Sequence, residues 1–307
     1  MNWSGVMPAI TTCFDKTLNI DHEFTAKHVA WLMQNGCTGI VTNGSLGEGG
    51  ALSIDEKHAL WRTCVNALGQ APVVAAIAAI TTSDACAQAV AVESAGCKGL
   101  MVLPPYLYRG DTREMKKHIS AIVQATSLSC MLYNNPVAYG TDFLPEHIAE
   151  LAAELPNLNA VKESSTDVRR ITAIKALCDD RLAIFVGVDD CIVEGVNAGA
   201  VGWIAGLANA MPKESVELFD FTRAAYIDKA AKLYEWFLPL LRLDTVPKFV
   251  QLIKLVQERV GWGNSRVRPP RLELVGTELE ETLQLIDQAL ATRLAESPKP
   301  PVVTYSA

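Results

Sequence analysis

The stretch NAVKESS (159–165) has the length and apolar character of a buried strand, yet it carries a lysine, Lys162, at its centre. Runs of the same kind recur along the chain: VMPAITTCF (6–14), GIVTNG (39–44), PVVAAIAA (72–79), GLMVLPP (99–105), CMLYNN (130–135), NAVKESS itself, AIFVGVD (183–189) and GWIAGLA (202–208). Unbroken hydrophobicity, rather than alternation, suits parallel strands covered on both faces. The segments between the runs have helical period. SIDEKHALWRTCVNAL (53–68) opens with a capping box formed by Ser53 and Glu56, and TREMKKHISAIVQA (112–125) and LPEHIAELAAEL (144–155) are similar amphipathic stretches. Glycines stand just before the next strand, as in ESAGCKG (93–99) and NAGAVG (197–202). Eight strand–helix units in about 225 residues predict an α/β chain closed as a (β/α)8 TIM barrel. An open doubly wound sheet is the competitor, but no G-x-G-x-x-G follows the first strand.

After residue 228 the pattern is helical only: KAAKLYEWFLPLLRL (229–243), VPKFVQLIKLVQERV (246–260) and ELEETLQLIDQALATRL (278–294). The expected organisation is a barrel over 1–228, a C-terminal helical appendage over 229–295 and a flexible tail over 296–307.

Half of the 307 residues are hydrophobic, enough for a large core. The net charge of −7 and the absence of any Lys/Arg run give no reason to bind nucleic acid or an anionic membrane. The expected partners are a small-molecule substrate and other copies of the chain. The eight cysteines include no C-x-x-C pair and sit mostly in apolar context, which points to buried reduced thiols. The five histidines lack metal-ligand spacing, so neither a metal nor another cofactor is expected. The N-terminal MNWSGVMPAITTCF has no basic leader, and no apolar run nears the roughly 20 residues that span a bilayer. The expected location is the cytoplasm.

In such a barrel the chemistry sits at the C-terminal ends of the strands. Those ends carry NGSLGEGG (43–50), PPYLY (104–108), YNN (133–135), Lys162, GVDD (187–190) and GLANAMP (206–212). Lys162 is the only lysine inside a strand run. An inward-facing lysine there loses hydration, so its pKa falls and it becomes an amine able to attack a carbonyl. The competing reading is an ion pair with Glu163. The glycine-rich loop after the second strand can form a nest of N–H groups for a carboxylate, or be an ordinary loop. Tyr133 can relay protons or simply pack. For Asp189 and Asp190, helix capping is the simplest role.

Taken in order, GSLGE (44–48), YNNP (133–136), VKESS (161–165), GVDD (187–190) and RPPRLEL (268–274) resemble the pyruvate-dependent class I aldolases and lyases typified by dihydrodipicolinate synthase and N-acetylneuraminate lyase. The resemblance implies that Lys162 forms a Schiff base with a 2-oxo acid and that Ser45 is the loop hydroxyl. It implies that the amides of Ser45 and Leu46, with Gly47, hold the substrate carboxylate. Tyr133 would be the proton relay, Tyr106 a second tyrosine donated across a subunit contact, and Gly187 and Ile204 would line the pocket. It also implies a homotetramer built as a dimer of dimers. One departure matters. In YNNPVAYG (133–140), Ala138 stands where synthases carry the arginine that grips the semialdehyde carboxylate, and Leu46 replaces a second loop threonine. With KESSTDVRR (162–170), GVDDCIVE (187–194) and YEWFLPLLRLD (234–244), the chain is more similar to the 1-pyrroline-4-hydroxy-2-carboxylate deaminases of hydroxyproline degradation. The alternatives are dihydrodipicolinate synthase, a 2-oxo-3-deoxy sugar acid dehydratase or aldolase, and, outside enzymes, a catalytically dead 2-oxo acid sensor.

Overall fold

The computed structural model describes residues 1–294. Eight strands are present: β1 (Gly5–Pro8), β2 (Ile40–Thr42), β3 (Val73–Ile77), β4 (Gly99–Val102), β5 (Ser129–Asn134), β6 (Leu158–Glu163), β7 (Ala183–Val186) and β8 (Gly202–Ala205). All pair in parallel, in the order β1-β8-β7-β6-β5-β4-β3-β2. A parallel bridge between Ala9 and Val41, with Ile10 N–H donating to the Val41 carbonyl at 2.8 Å, joins β1 to β2 and closes the TIM barrel. Each expected run contains a strand, but the strands are shorter than the runs. The first ends at Pro8, and Thr11 beyond it donates from its backbone to Asn209 Oδ1 and from its hydroxyl to Gln257 Oε1. The second half of that apolar run therefore ties the barrel mouth to later segments.

The helices on the outside are α1 (His22–Gln34), α2 (Ile54–Leu68), α3 (Thr82–Ser94), α4 (Thr112–Gln124), the short α5 (Pro136–Tyr139), α6 (Pro145–Glu154), α7 (Arg169–Cys178), α8 (Ile192–Asn197) and α9 (Pro212–Arg223). Polar caps start several of them. Asp21 accepts from Phe24 N–H, and the boxes Ser53/Glu56 and Asp111/Glu114 are both formed; each such cap contributes about 1 kcal/mol. At the barrel floor Trp3 donates to Ser129 Oγ at 2.7 Å and meets the Phe185 ring edge-on. All eight cysteines are free thiols. Among the described residues no helix is long and apolar enough to cross a membrane.

Helices α10 (Ile227–Leu241), α11 (Phe249–Arg259) and α12 (Gly276–Ala291) follow. The expected tail, 296–307, lies outside the described residues. The apolar core is continuous from the barrel into α10–α12. Their docking is also polar and local to the mouth. Lys254 of α11, almost fully buried, bonds Glu48 Oε1 at 2.5 Å and the Arg266 carbonyl at 2.6 Å, while Arg268 N–H donates to Glu48 Oε2 at 3.0 Å. The Arg268 guanidinium forks onto Glu56 and reaches the Leu18 and Ala51 carbonyls. Glu48 thus fixes the loop after β2, itself sitting at φ 54°, where only an over-determined residue stays.

Removing one partner of a buried ion pair strands the other, at about 3–5 kcal/mol. Glu48→Gln should therefore lower the unfolding free energy by roughly that much in urea titrations, and adding Lys254→Met should return part of the loss. A Glu48→Gln protein as stable as wild type would show that the pair is not the anchor of this loop.

Candidate active site

The pleat of β6 decides where its two adjacent ionisable residues go, because successive side chains face opposite sides of a strand. Lys162 lies in register with Tyr133 of β5 and Phe185 of β7. It is 7% exposed, and its Nζ stands 4.1 Å from the centroid of the Tyr133 ring. Glu163 turns the other way and accepts from Ser165 N–H at 2.6 Å and Asn134 Nδ2 at 3.0 Å. The Lys162–Glu163 ion pair is absent. Burial lowers the Lys162 pKa, against the opposing pull of Asp244, Tyr139 and Asp189, so more of it is the free amine at neutral pH than of an exposed lysine. Gly187, the position after β7, makes room for it: a Cβ there would stand 2.6 Å from Lys162 Cε and 1.9 Å from Ser164 Oγ.

Two tyrosines stand over the amine. Tyr133 is buried, accepts from Asn135 Nδ2 at 2.9 Å, and burial pushes its pKa up to about 12. Tyr139, from α5, meets the Tyr133 ring edge-on at 5.7 Å, and its phenol makes a short hydrogen bond with the Ser45 hydroxyl. Sequence reasoning missed Tyr139. Asn135 caps α5 through Ala138 N–H and Pro136 starts it, and this single turn swings the sixth residue after Tyr133 back over the mouth. Ala138, where the synthase arginine would stand, is exposed on the same turn. Tyr106 lies on the segment between β4 and α4, 41% exposed beside the exposed Leu107 and Tyr108, and among the described residues no hydrogen bond or ring contact joins it to the strand-end groups.

The loop after β2 turns tightly. Among the described residues the N–H groups of Ser45, Leu46 and Gly47 make no backbone hydrogen bond, whereas Glu48 and Gly49 close the turn onto Ser45 and Gly44. A Cβ on Gly47 would stand 2.8 Å from the Ile10 carbonyl oxygen, and Thr12 Oγ1 donates to the Gly47 carbonyl. Leu46 is buried, as is Ile204 on β8, beside Met7 of β1.

The GVDD pair needs correcting. Asp189 does not cap its own turn; it accepts from Trp203 Nε1 at 2.9 Å, Gly206 N–H at 3.1 Å and Leu207 N–H at 2.7 Å, so it holds the turn that follows β8. Burial raises its pKa and these N–H groups pull it back. Asp190 faces Arg242 at 3.8 Å. A second acid, Asp244, also missed, reaches the same place from the turn after α10: a Cβ on Gly206 would fall 2.1 Å from its Oδ1. A cavity of about 470 Å³ between α9, α10 and the end of α12 shares no residue with this cluster.

A buried lysine, two tyrosines and a row of backbone N–H groups without backbone partners thus stand at the strand ends of a closed barrel. The sequence model of the dihydrodipicolinate synthetase family matches residues 2–289. The chain belongs to that family. Its enzymes are class I Schiff-base lyases. The 4-hydroxy-tetrahydrodipicolinate synthase of Mesorhizobium japonicum is 30% identical over 288 residues, 93% of this chain and 97% of that protein. The enzyme of the same name from Anaplasma marginale is 29% identical over 298 residues, 95% and 98% of the two chains. A crystal structure of dihydrodipicolinate synthase from Bacillus anthracis has a TM-score of 0.89 at 28% identity, covering 94% of this chain and 98% of that one.

The geometry around Gly187 makes a direct prediction for this family member. Gly187→Ala should leave the circular dichroism spectrum unchanged and slow Schiff-base formation at Lys162 by about 100-fold, the scale of a 1 Å misplacement. Wild-type rates of imine formation would mean that the Lys162 side chain does not run over this residue.

Proposed function

We propose that Lys162 forms a Schiff base with a 2-oxo acid or a cyclic imino acid, and that the substrate is 1-pyrroline-4-hydroxy-2-carboxylate, deaminated to 2,5-dioxopentanoate and ammonia. The amine attacks C2 of the ring imine, and the ring opens as its nitrogen leaves C2. The protonated imine is the electron sink, so a C3 proton becomes acidic and the C4 hydroxyl leaves by β-elimination. Tautomerisation moves the double bond to an imine at C5. Hydrolysis of that imine releases ammonia, and hydrolysis at C2 frees Lys162. The N–H groups of Ser45, Leu46 and Gly47 hold the carboxylate, Tyr133 carries the C3 proton, and Tyr139, edge-on to Tyr133, holds the Ser45 hydroxyl.

One observation carries the choice of substrate. The turn that would present a cation to a second carboxylate presents Ala138 to solvent and Tyr139 to the site. A deaminase needs no such clamp, and a 2-oxo-3-deoxy acid dehydratase would share the elimination. The synthase reading has two supports of its own. The names of the curated relatives favour it over the deaminase reading, and Arg271, which acts electrostatically on Tyr139, is a cation that a semialdehyde carboxylate would use. In either case we place the enzyme in the cytoplasm as a dimer of dimers, with the exposed Tyr106–Tyr108 tip meeting a second copy.

Steady-state assays decide between the readings. Ammonia release from hydroxypyrroline carboxylate should exceed condensation of pyruvate with aspartate semialdehyde by roughly ten- to a hundredfold in kcat/KM, the worth of one missing charge-assisted contact. Efficient condensation would establish the synthase reading instead, faster water loss from a 2-oxo-3-deoxy acid would make it the dehydratase, and binding without turnover would make the chain a sensor.

A further inference from the structure

Asp244 has no role in the chemistry above, yet it is one of the acids whose charge Lys162 feels most. It sits on the turn Arg242–Asp244 that ends α10, and Arg242 of that turn faces Asp190 after β7. Its Oδ1 is buried and, among the described residues, has no hydrogen-bond partner. The neighbouring Asp189 is the opposite case, with three N–H donors on its carboxylate. Two carboxyl groups that share a buried place do not both ionise readily, and the one without donors keeps the proton. Asp189 is therefore the fixed anion and Asp244 the acid.

The position suits a reacting group. The Lys162 stem passes over Gly187 at the end of β7, and the Asp244 carboxyl leans on Gly206 at the end of β8. These strands are neighbours. Neighbouring strands are about 5 Å apart, which is about the extended span from an imine nitrogen through C2, C3 and C4 to an oxygen on C4.

We propose that Asp244 is the general acid of this site, donating its proton to the hydroxyl that leaves C4 of the Lys162-bound substrate. The inference rests on the β-elimination reading given above. In the step, the enamine electron pair on nitrogen re-forms the C2 imine, the C2=C3 pair becomes C3=C4, and the C4–O bond breaks. The departing oxygen takes the Asp244 proton and leaves as water, and Asp244 is left as a carboxylate that water reprotonates.

The test compares leaving groups. Hydroxide needs a proton to depart, whereas fluoride does not. Asp244→Asn should lower elimination from hydroxypyrroline carboxylate, or from 4-hydroxy-2-oxobutanoate, by about 100-fold or more. It should release fluoride from 4-fluoro-2-oxobutanoate within about threefold of wild type, because Lys162 and Tyr133 still form the imine and enamine. The wild-type rate should also fall as pH rises through the Asp244 pKa, with Lys162, Asp189, Asp190, Tyr133 and Arg242 the ionisable side chains around it, and the asparagine protein should lose that limb. A variant that loses both eliminations, or neither, overturns the proposal alone. A wild type that releases fluoride but eliminates no hydroxyl overturns the β-elimination reading and this proposal together.

Discussion

The site depends on the two-residue period of one buried strand. Lys162 and Glu163 are adjacent and both ionisable, and in a loop or on a helix surface they could have paired. On β6 the pleat sends the amine into the barrel mouth and the carboxylate to the other face, where Asn134 and Ser165 bind it. The lysine is left buried against the Tyr133 ring, without an ion pair among the described residues. A charged ammonium is costly there, so the fold itself lowers the barrier to a nucleophilic amine. Glycine at 187 and 206 keeps the strand ends low enough for Lys162 and Asp244 to lie across them.

Around that amine the polar groups divide into those that are satisfied and those left open. Asp189 spends its lone pairs on the turn after β8, and Glu48 spends its own on Lys254 and Arg268 N–H. These carboxylates build the mouth. Among the open groups of the described residues are the N–H row of residues 45–47, the Lys162 amine, Ser164 Oγ and Asp244 Oδ1. Because Lys254 lies in α11 and Asp244 follows α10, the helices beyond the barrel both clamp the loop after β2 and place an acid at the barrel mouth.

The barrel was legible because eight apolar runs of strand length alternate with capped amphipathic stretches, and each of those signals is local. Lys162 was legible for the same reason, as a charge that violates its own run. Tyr139, Asp244 and the Glu48–Lys254 pair were not. Tyr139 depends on a single helical turn after Pro136, and a lone tyrosine in a loop carries no period. Asp244 sits in YEWFLPLLRLD, where an acid after an amphipathic helix reads as an ordinary solvated end. Glu48 and Lys254 are 206 positions apart, a pairing only tertiary structure reveals. Asp189 was visible but misread, since its donors come from the following strand and turn rather than from its own helix.

The central claim is that Lys162 is the nucleophilic amine. Incubation with pyruvate and sodium borohydride, followed by peptide mapping in a mass spectrometer, tests it most directly. The account predicts one reduced adduct, on the peptide containing Lys162, and none on the Lys162→Ala protein, which should remain folded because truncating an unpaired buried amine removes a desolvation cost. An adduct on Lys254 or any other lysine, or no adduct at all, would contradict it.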